Sequence, residues 1–243
     1  RIGAARNRRS SLPEIGYVMK LPNLPGQLRV FGAQGRDAGT APGPIDSEPE
    51  FEILGRDELV ELARRLALSQ VVAARPLLGT TVFGGLESSA RGLLTAYRAT
   101  VAAAGAALPI SSAAEWLLDN FHVIEEQLAE IRKSLPRGFY RQLPSLSAGP
   151  LAGHPRIYAF ARELIGHADG HLDQEALHGC IEAYQTESPL TTGELWAFPT
   201  MLRIALVERL ARLAAPLERR RLDRVEADGW ADRILAVAAT DAS

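Results

Sequence analysis

Residues 111–134 read SSAAEWLLDNFHVIEEQLAEIRKS, and this stretch decides the fold class. Ser112 and Glu115 have the spacing of a capping box at a helix start. Asn120 lies beside the apolar positions, where its amide needs hydrogen-bond partners from the backbone of a neighbouring element. The apolar residues recur three or four positions apart as one stripe: Leu117, Phe121, Ile124, Leu128 and Ile131. The spacing therefore predicts a helix whose apolar face packs on other helices.

The same helical period continues on both sides of this stretch. Upstream, it predicts a helix of about five turns ending before Pro76, and a second from about Glu87 to just before Pro109. Downstream, it predicts helices over 155–165, 174–184, 191–215 and 217–239. In the last helix we expect Trp230, Ile234 and Val237 to form the packing side. The chain is therefore predicted to be all-α, a bundle of about six to seven helices.

Two helix starts in the second half carry clear capping signals. Thr191 and Glu194 have capping-box spacing, and Asp173 is well placed to cap the helix that follows it. Pro199 lies inside the next helix and removes a backbone hydrogen bond, so we expect a kink near residues 195–199.

The N-terminal part of the chain has a different composition. Residues 1–54 contain six of the fifteen prolines, many glycines and no long apolar periodicity. We interpret residues 1–54 as an extended or disordered arm and residues 55–240 as the helical domain.

Composition limits the possible functions. The chain has 243 residues and a net charge of −2, which disfavours a nucleic-acid role. Cys180 is the only cysteine, and we expect a buried, unreactive thiol. No stretch approaches the ~18 consecutive apolar residues of a membrane-spanning helix, and the first residues lack the apolar core of a signal peptide. Because the chain begins at Arg1, we expect it to be part of a longer polypeptide.

The candidate contact residues are aromatic side chains and arginines. The loop LPRGFYRQLP at 135–144 brings Arg137, Tyr140 and Arg141 together, which suits contact with a sugar or a phosphate. The alternative is that these side chains pin the loop to the helices. Trp116 and Trp196 are candidates for contact with a ligand or with another domain. Buried rings would indicate core residues and exposed rings a platform for a sugar, so the exposure of the rings distinguishes these alternatives.

No pattern in the chain predicts catalysis or a bound metal. In HADGHLD at 167–173, histidines alternate with aspartates, but a helix exit followed by the Asp173 cap explains the segment better than a metal site. A hydrolase with paired carboxylates is disfavoured because each candidate has a capping or surface explanation: Glu115, Glu125, Glu126 and Glu194. We therefore predict no catalytic residue, no metal and no cofactor in this chain.

Three blocks carry a resemblance to a known family. They are AEWLLDNFHVIEEQLAEIRKSLPRGFYRQLPSL at 114–146, GPLAGHPRIYAFARELIGHADGHLD at 149–173 and AYQTESPLTTGELWAFPTMLRIALVERLARL at 183–213. Over about 55–213 the chain resembles the N-terminal region of the cyclic β-1,2-glucan synthase family. The first fifty residues lie outside this resemblance.

The resemblance implies a role within a much larger protein. Members are very long bacterial inner-membrane proteins that polymerise glucose from UDP-glucose and close the chain into a ring, and their catalytic domains lie downstream of this region. The chain would then be a non-catalytic scaffold or regulatory segment on the cytoplasmic side of the membrane, with the remaining domains as its partners. The alternative is a module that binds β-glucan or UDP-glucose directly. No family catalytic residue transfers to this chain, which lacks Asp-x-Asp and Gln-x-x-Arg-Trp motifs.

Overall fold

The computed structural model describes residues 51–74, 82–134, 140, 142–168 and 172–241. Within these ranges the regular structure is helical, apart from isolated bridges that pair Val72 with Leu146 and Ser145 with Pro155. The all-α prediction is therefore confirmed for the described residues. Residues 1–50 of the predicted arm lie outside the described residues.

The helices of the described ranges follow the predicted order. They are α1 (Arg56–Ser69), α2 (Val82–Gly105), α3 (Ser112–Ser134), α4 (Arg156–His167), α5 (Gln174–Glu187), α6 (Thr192–Ala214) and α7 (Leu217–Asp241). Helix α1 is shorter than the five predicted turns, and α2 begins five residues before the predicted Glu87. No helix in the described ranges combines the length and apolar character that a membrane span requires.

Helix starts agree with most of the capping signals. The Thr191 hydroxyl accepts the backbone N–H of Glu194, whose carboxylate accepts the N–H of Thr191, so the capping box of α6 is confirmed. Asp173 accepts the N–H of Ala176 at 2.7 Å and caps α5 as predicted. The prediction for α3 was wrong by one residue, because the Ser111 hydroxyl accepts the N–H of Ala114. Ser112 is then the first helical residue.

Helix α6 lies at the centre of the bundle. It packs against α2, α3 and α4, while α1 packs along α5. Its buried side is broad and includes Phe198, Met201 and Ile204. The ring of Phe160 in α4 stacks on Phe198 with centroids 5.2 Å apart. A helix that is apolar over most of its circumference must be enclosed by others, and α6 accordingly joins the two halves of the core.

A buried ion pair connects the start of α6 to the start of α4. The Arg156 guanidinium donates from Nε and Nη2 to the two carboxylate oxygens of Glu194, at 2.9 and 2.8 Å. It also donates to the Ser188 hydroxyl and to the Pro189 carbonyl at the end of α5. Burial opposes the charge on Arg156, but the hydrogen bonds and charge of Glu194 outweigh it and raise the arginine pKa. We call these residues, together with Thr191, the Arg156 network.

A second polar contact lies further along α6. The Tyr158 hydroxyl donates to a carboxylate oxygen of Glu208 at 2.6 Å. Burial, together with the charge of Glu208, raises the pKa of Tyr158, so the hydroxyl stays protonated and remains a donor. Helix α2 approaches closely at Gly85, where an added Cβ would lie 2.8 Å from Glu208 Oε1. The absence of a side chain at Gly85 therefore leaves room for this carboxylate.

Two sequence predictions about packing need correction. Trp230 was expected on the packing side of α7, but its side chain is 55% exposed and the Arg233 guanidinium lies 4.1 Å from the centre of its ring. The side chains of Ile234 and Val237 lie outside the described residues. Asn120 does find a backbone carbonyl, but it belongs to Trp116 of the same helix, at 2.8 Å, and not to a neighbouring element.

Removal of Arg156 tests the buried ion pair. We expect Arg156→Met to lower the free energy of unfolding by about 3–5 kcal/mol, because Glu194 is left charged and buried without its partner. Urea unfolding of the purified chain measures this loss. The matched control is Arg132→Met, which breaks the half-exposed ion pair with Glu87 and should cost below about 1 kcal/mol. Equal losses in the two variants would contradict a special role for the buried pair.

Two glycines of α2 offer a matched test of the close approach to Glu208. Gly85→Ala should destabilise the protein by about 1–3 kcal/mol, since the new methyl group displaces the carboxylate that Tyr158 binds. Gly92→Ala meets no atom within 4 Å and should stabilise the helix by about 0.5–1 kcal/mol. Thermal and urea unfolding of both variants check that the two substitutions change the free energy of unfolding in opposite directions. Stabilisation by both substitutions would show that Glu208 moves aside at little cost.

Candidate functional site

The most exposed aromatic side chain among the predicted site residues is Trp196. It lies in the second turn of α6, and its side chain is 78% exposed. Glu194, two residues earlier, is fully buried and bound to Arg156, so the backbone that carries Trp196 is held at the start of the helix. A large apolar ring on a fixed backbone and open to solvent is a typical contact residue in protein interfaces.

Other exposed apolar side chains lie at the same end of the bundle. Gln70, just after α1, accepts a hydrogen bond from Tyr184 at 2.7 Å, and the Tyr184 ring lies 5.8 Å from the Arg156 guanidinium. The end of α1 is thus connected through α5 to the Arg156 network and the start of α6. The exposed apolar residues of this end are Leu68, Val71, Val72 and Trp196. We call this set the Trp196 end.

Trp116 lies in a different part of the molecule. It occupies the second turn of α3 and is half-buried. The preceding residues Ser111, Ala113 and Ala114 line a cleft with the start of α7, which follows the C-terminal end of α6. Between Trp196 and Ala214 the α6 axis rises about 27 Å at 1.5 Å per residue. The structure therefore places Trp116 and Trp196 at opposite ends of α6.

Tyr140 is fixed to the start of α2. Its hydroxyl accepts the N–H of Val82 at 3.2 Å, and its ring contacts Phe83 edge-on with centroids 5.6 Å apart. Burial raises the pKa of Tyr140, so its hydroxyl stays neutral. These contacts correspond to the loop-pinning alternative. Arg137 and Arg141, the other candidates in this loop, lie outside the described residues.

The predicted contact residues therefore do not form one surface. Trp196 is near the N-terminal end of α6, Tyr140 is at the start of α2, and Trp116 is near the start of α3. The start of α2 itself faces Glu208, in the second half of α6, through Gly85. A sugar held by all three rings would have to span most of the bundle. Of the three, only Trp196 presents a largely free ring.

The structure also reveals a cleft that the sequence patterns did not single out. It has a volume of about 220 Å³ and lies between α2, the start of α3 and the start of α7. One wall carries Arg220, Arg221 and Arg224. The run RRRLDR at 219–224 is visible in the sequence, but nothing local to it indicates the helix that it faces. We call this feature the α3–α7 cleft.

Two further potentially reactive side chains, Cys180 and His167, have structural surroundings. Burial raises the pKa of Cys180 to about 11, so the thiol is protonated at neutral pH, and the predicted buried thiol is confirmed. His167 Nδ1 lies 2.6 Å from the carbonyl oxygen of Glu52, and its ring contacts Phe51. Within the described ranges no group of three or more His, Cys, Asp or Glu side chains could hold a metal ion. Residues 169–171 of the HADGHLD segment lie outside those ranges.

Comparisons with known proteins give one informative match. No protein-family model matches the chain. The chain is 43% identical over 143 residues to the cyclic beta-(1,2)-glucan synthase NdvB of Rhizobium meliloti (strain 1021). The match covers 59% of this chain and 5% of the relative, so the chain corresponds to a small part of a much longer protein. The match confirms the predicted resemblance to the cyclic β-1,2-glucan synthase family over the matched segment.

Proposed function

We propose that this chain is a non-catalytic helical segment of a cyclic β-1,2-glucan synthase, and that it docks through the Trp196 end onto another part of the same polypeptide. The observation that supports this most directly is the 78% exposure of Trp196 on a backbone fixed by the Arg156 network. Leu68, Val71 and Val72 are also exposed at this end of the bundle and add apolar area that a partner would cover.

The rest of the proposed setting comes from the family resemblance. The segment lies toward the N-terminus of the whole synthase, on the cytoplasmic side of the bacterial inner membrane. Other domains transfer glucose from UDP-glucose and cyclise the β-1,2-glucan. The partner of this segment is then one of those domains, which fits the 5% share of the relative that the match covers.

The magnitude of tryptophan burial supports docking at this position. A tryptophan buries about 150–250 Å² in an interface, and apolar burial contributes about 25 cal/mol per Å². Covering the exposed part of the ring therefore provides roughly 3–5 kcal/mol of transfer free energy. That is the size of an interface hot spot, which is commonly a tryptophan surrounded by smaller contacts.

A second candidate function uses the same ring. An exposed indole can stack on the apolar face of a sugar, so Trp196 is also a candidate platform for β-glucan or UDP-glucose. The exposure of Trp196 supports this alternative because an exposed ring is not a core residue. Docking is preferred because Trp116 and Tyr140, the other aromatic candidates, lie elsewhere and add no second platform beside it.

Footprinting tests the docking proposal. We expect Trp196 to be oxidised several-fold more slowly by hydroxyl radicals in the complete synthase than in the isolated chain, because a partner domain covers the ring. Mass spectrometry of the Trp196 peptide gives the ratio. Trp196→Ala should change the unfolding free energy of the isolated chain by less than about 0.5 kcal/mol. An effect of the same substitution on the complete synthase is then not explained by misfolding of this segment. Equal oxidation rates in the two contexts would sink the docking proposal.

Ligand titration separates the two candidates. If Trp196 is a docking residue, its fluorescence and the NMR shifts around the start of α6 should not respond to millimolar β-1,2-glucan oligosaccharides or UDP-glucose in the isolated chain. A saturable response that disappears in Trp196→Ala but persists in Trp230→Ala would establish the sugar platform instead. Trp230 is the matched control because it is also exposed but lies on α7.

A further inference from the structure

We propose that the α3–α7 cleft binds a phosphate group, of the size of a mono- or diphosphate. This site is separate from the Trp196 end and does not depend on the docking proposal. Its basis is a cavity of about 220 Å³ with a wall of three arginines.

The arginine wall concentrates positive charge in one place. Arg220 and Arg224 are one helical turn apart on α7, and Arg221 lies beside them. Like charges at this spacing repel and weaken a helix by a few tenths of a kcal/mol. Among the described side chains, ion pairs occupy Arg56, Arg64, Arg132 and Arg156, whereas neither Arg220 nor Arg224 takes part in one. A bound anion would relieve the repulsion between them.

The other walls strengthen the effect of these charges. Ile110, Ala113 and Leu217 add half-buried apolar side chains to the lining, which lowers the local dielectric constant beside the arginines. The first turn of α3 also lines the cleft, so the positive end of its helix dipole lies there. The nearby carboxylates of Glu115, Asp223 and Glu226 are exposed and do not line the cleft. The cleft therefore presents a positive potential to a ligand that enters it.

Size and geometry select a phosphate. Pockets for drug-sized ligands measure about 300–1,000 Å³, so a cleft of about 220 Å³ fits a compact group and not a whole nucleotide sugar. Guanidinium groups bind phosphate oxygens through paired hydrogen bonds, which a single lysine cannot provide. The same chemistry is offered by a soluble phosphate or diphosphate and by the headgroup of an anionic lipid.

Two binding measurements on the purified chain test the site at low ionic strength, where charge contacts are least screened. The first is isothermal titration with sodium pyrophosphate. The second is co-sedimentation with vesicles of phosphatidylcholine containing one third phosphatidylglycerol. We expect saturable binding in at least one arm, weakened at least tenfold by the double substitution Arg220→Gln with Arg224→Gln. Binding of pyrophosphate would identify the ligand as a soluble phosphate. Binding of the vesicles without binding of pyrophosphate would identify it as a lipid headgroup.

The control variant also removes two positive charges, but from arginines that lie outside the cleft. Arg98→Gln with Arg219→Gln alters two exposed arginines that do not line it, and binding should change less than twofold. Ala113→Glu is a second variant that should abolish binding while favouring the helix, because a carboxylate in the first turn of α3 interacts well with the helix dipole. Equal weakening by both arginine pairs, or no saturable binding in either arm, overturns the proposal.

Discussion

The buried pair between Arg156 and Glu194 is the interaction on which the rest of the structure depends. Four hydrogen bonds from one guanidinium connect the start of α4, the end of α5 and the start of α6. Glu194 also receives the N–H and the hydroxyl of Thr191, so the carboxylate that holds Arg156 also caps its own helix. Separation of the start of α4 from the start of α6 would leave a charge buried without a partner.

Polar contacts are needed because the apolar surface of α6 does not define its orientation. Buried positions occur around most of the helix, and many rotations would bury similar area. Three contacts with α4 select one arrangement: Glu194 with Arg156, Glu208 with Tyr158, and Arg209 with the carbonyls of Ile165 and Gly166. In each contact a different arrangement would leave a buried polar group unsatisfied, which costs more than a lost apolar contact. The core thus supplies stability and the polar contacts supply its specific geometry.

The sequence predicts local features far better than it predicts surfaces. Helix existence and the caps at Thr191 and Asp173 depend on residues a few positions apart, and both were predictable. The exposure of Trp196 and Trp230 was not, because a tryptophan at helical spacing has the same pattern whether or not another helix covers it. The α3–α7 cleft joins residues near 111 with residues near 220, and only the folded chain brings them together. The resemblance to glucan synthases predicts the family but names no residue at either surface.

The geometry of α6 keeps the two surfaces independent. Trp196 and the Arg156 network lie near its first residue, while the α3–α7 cleft opens beyond its last, so about five helical turns separate Trp196 from the cleft end at Ala214. Apolar contact at one end and charge at the other suit different kinds of ligand. With the proposed docking at one end and the proposed phosphate site at the other, such a segment would hold one domain of a long polypeptide at a fixed distance from an anionic group, which is a structural role that needs no catalytic residue.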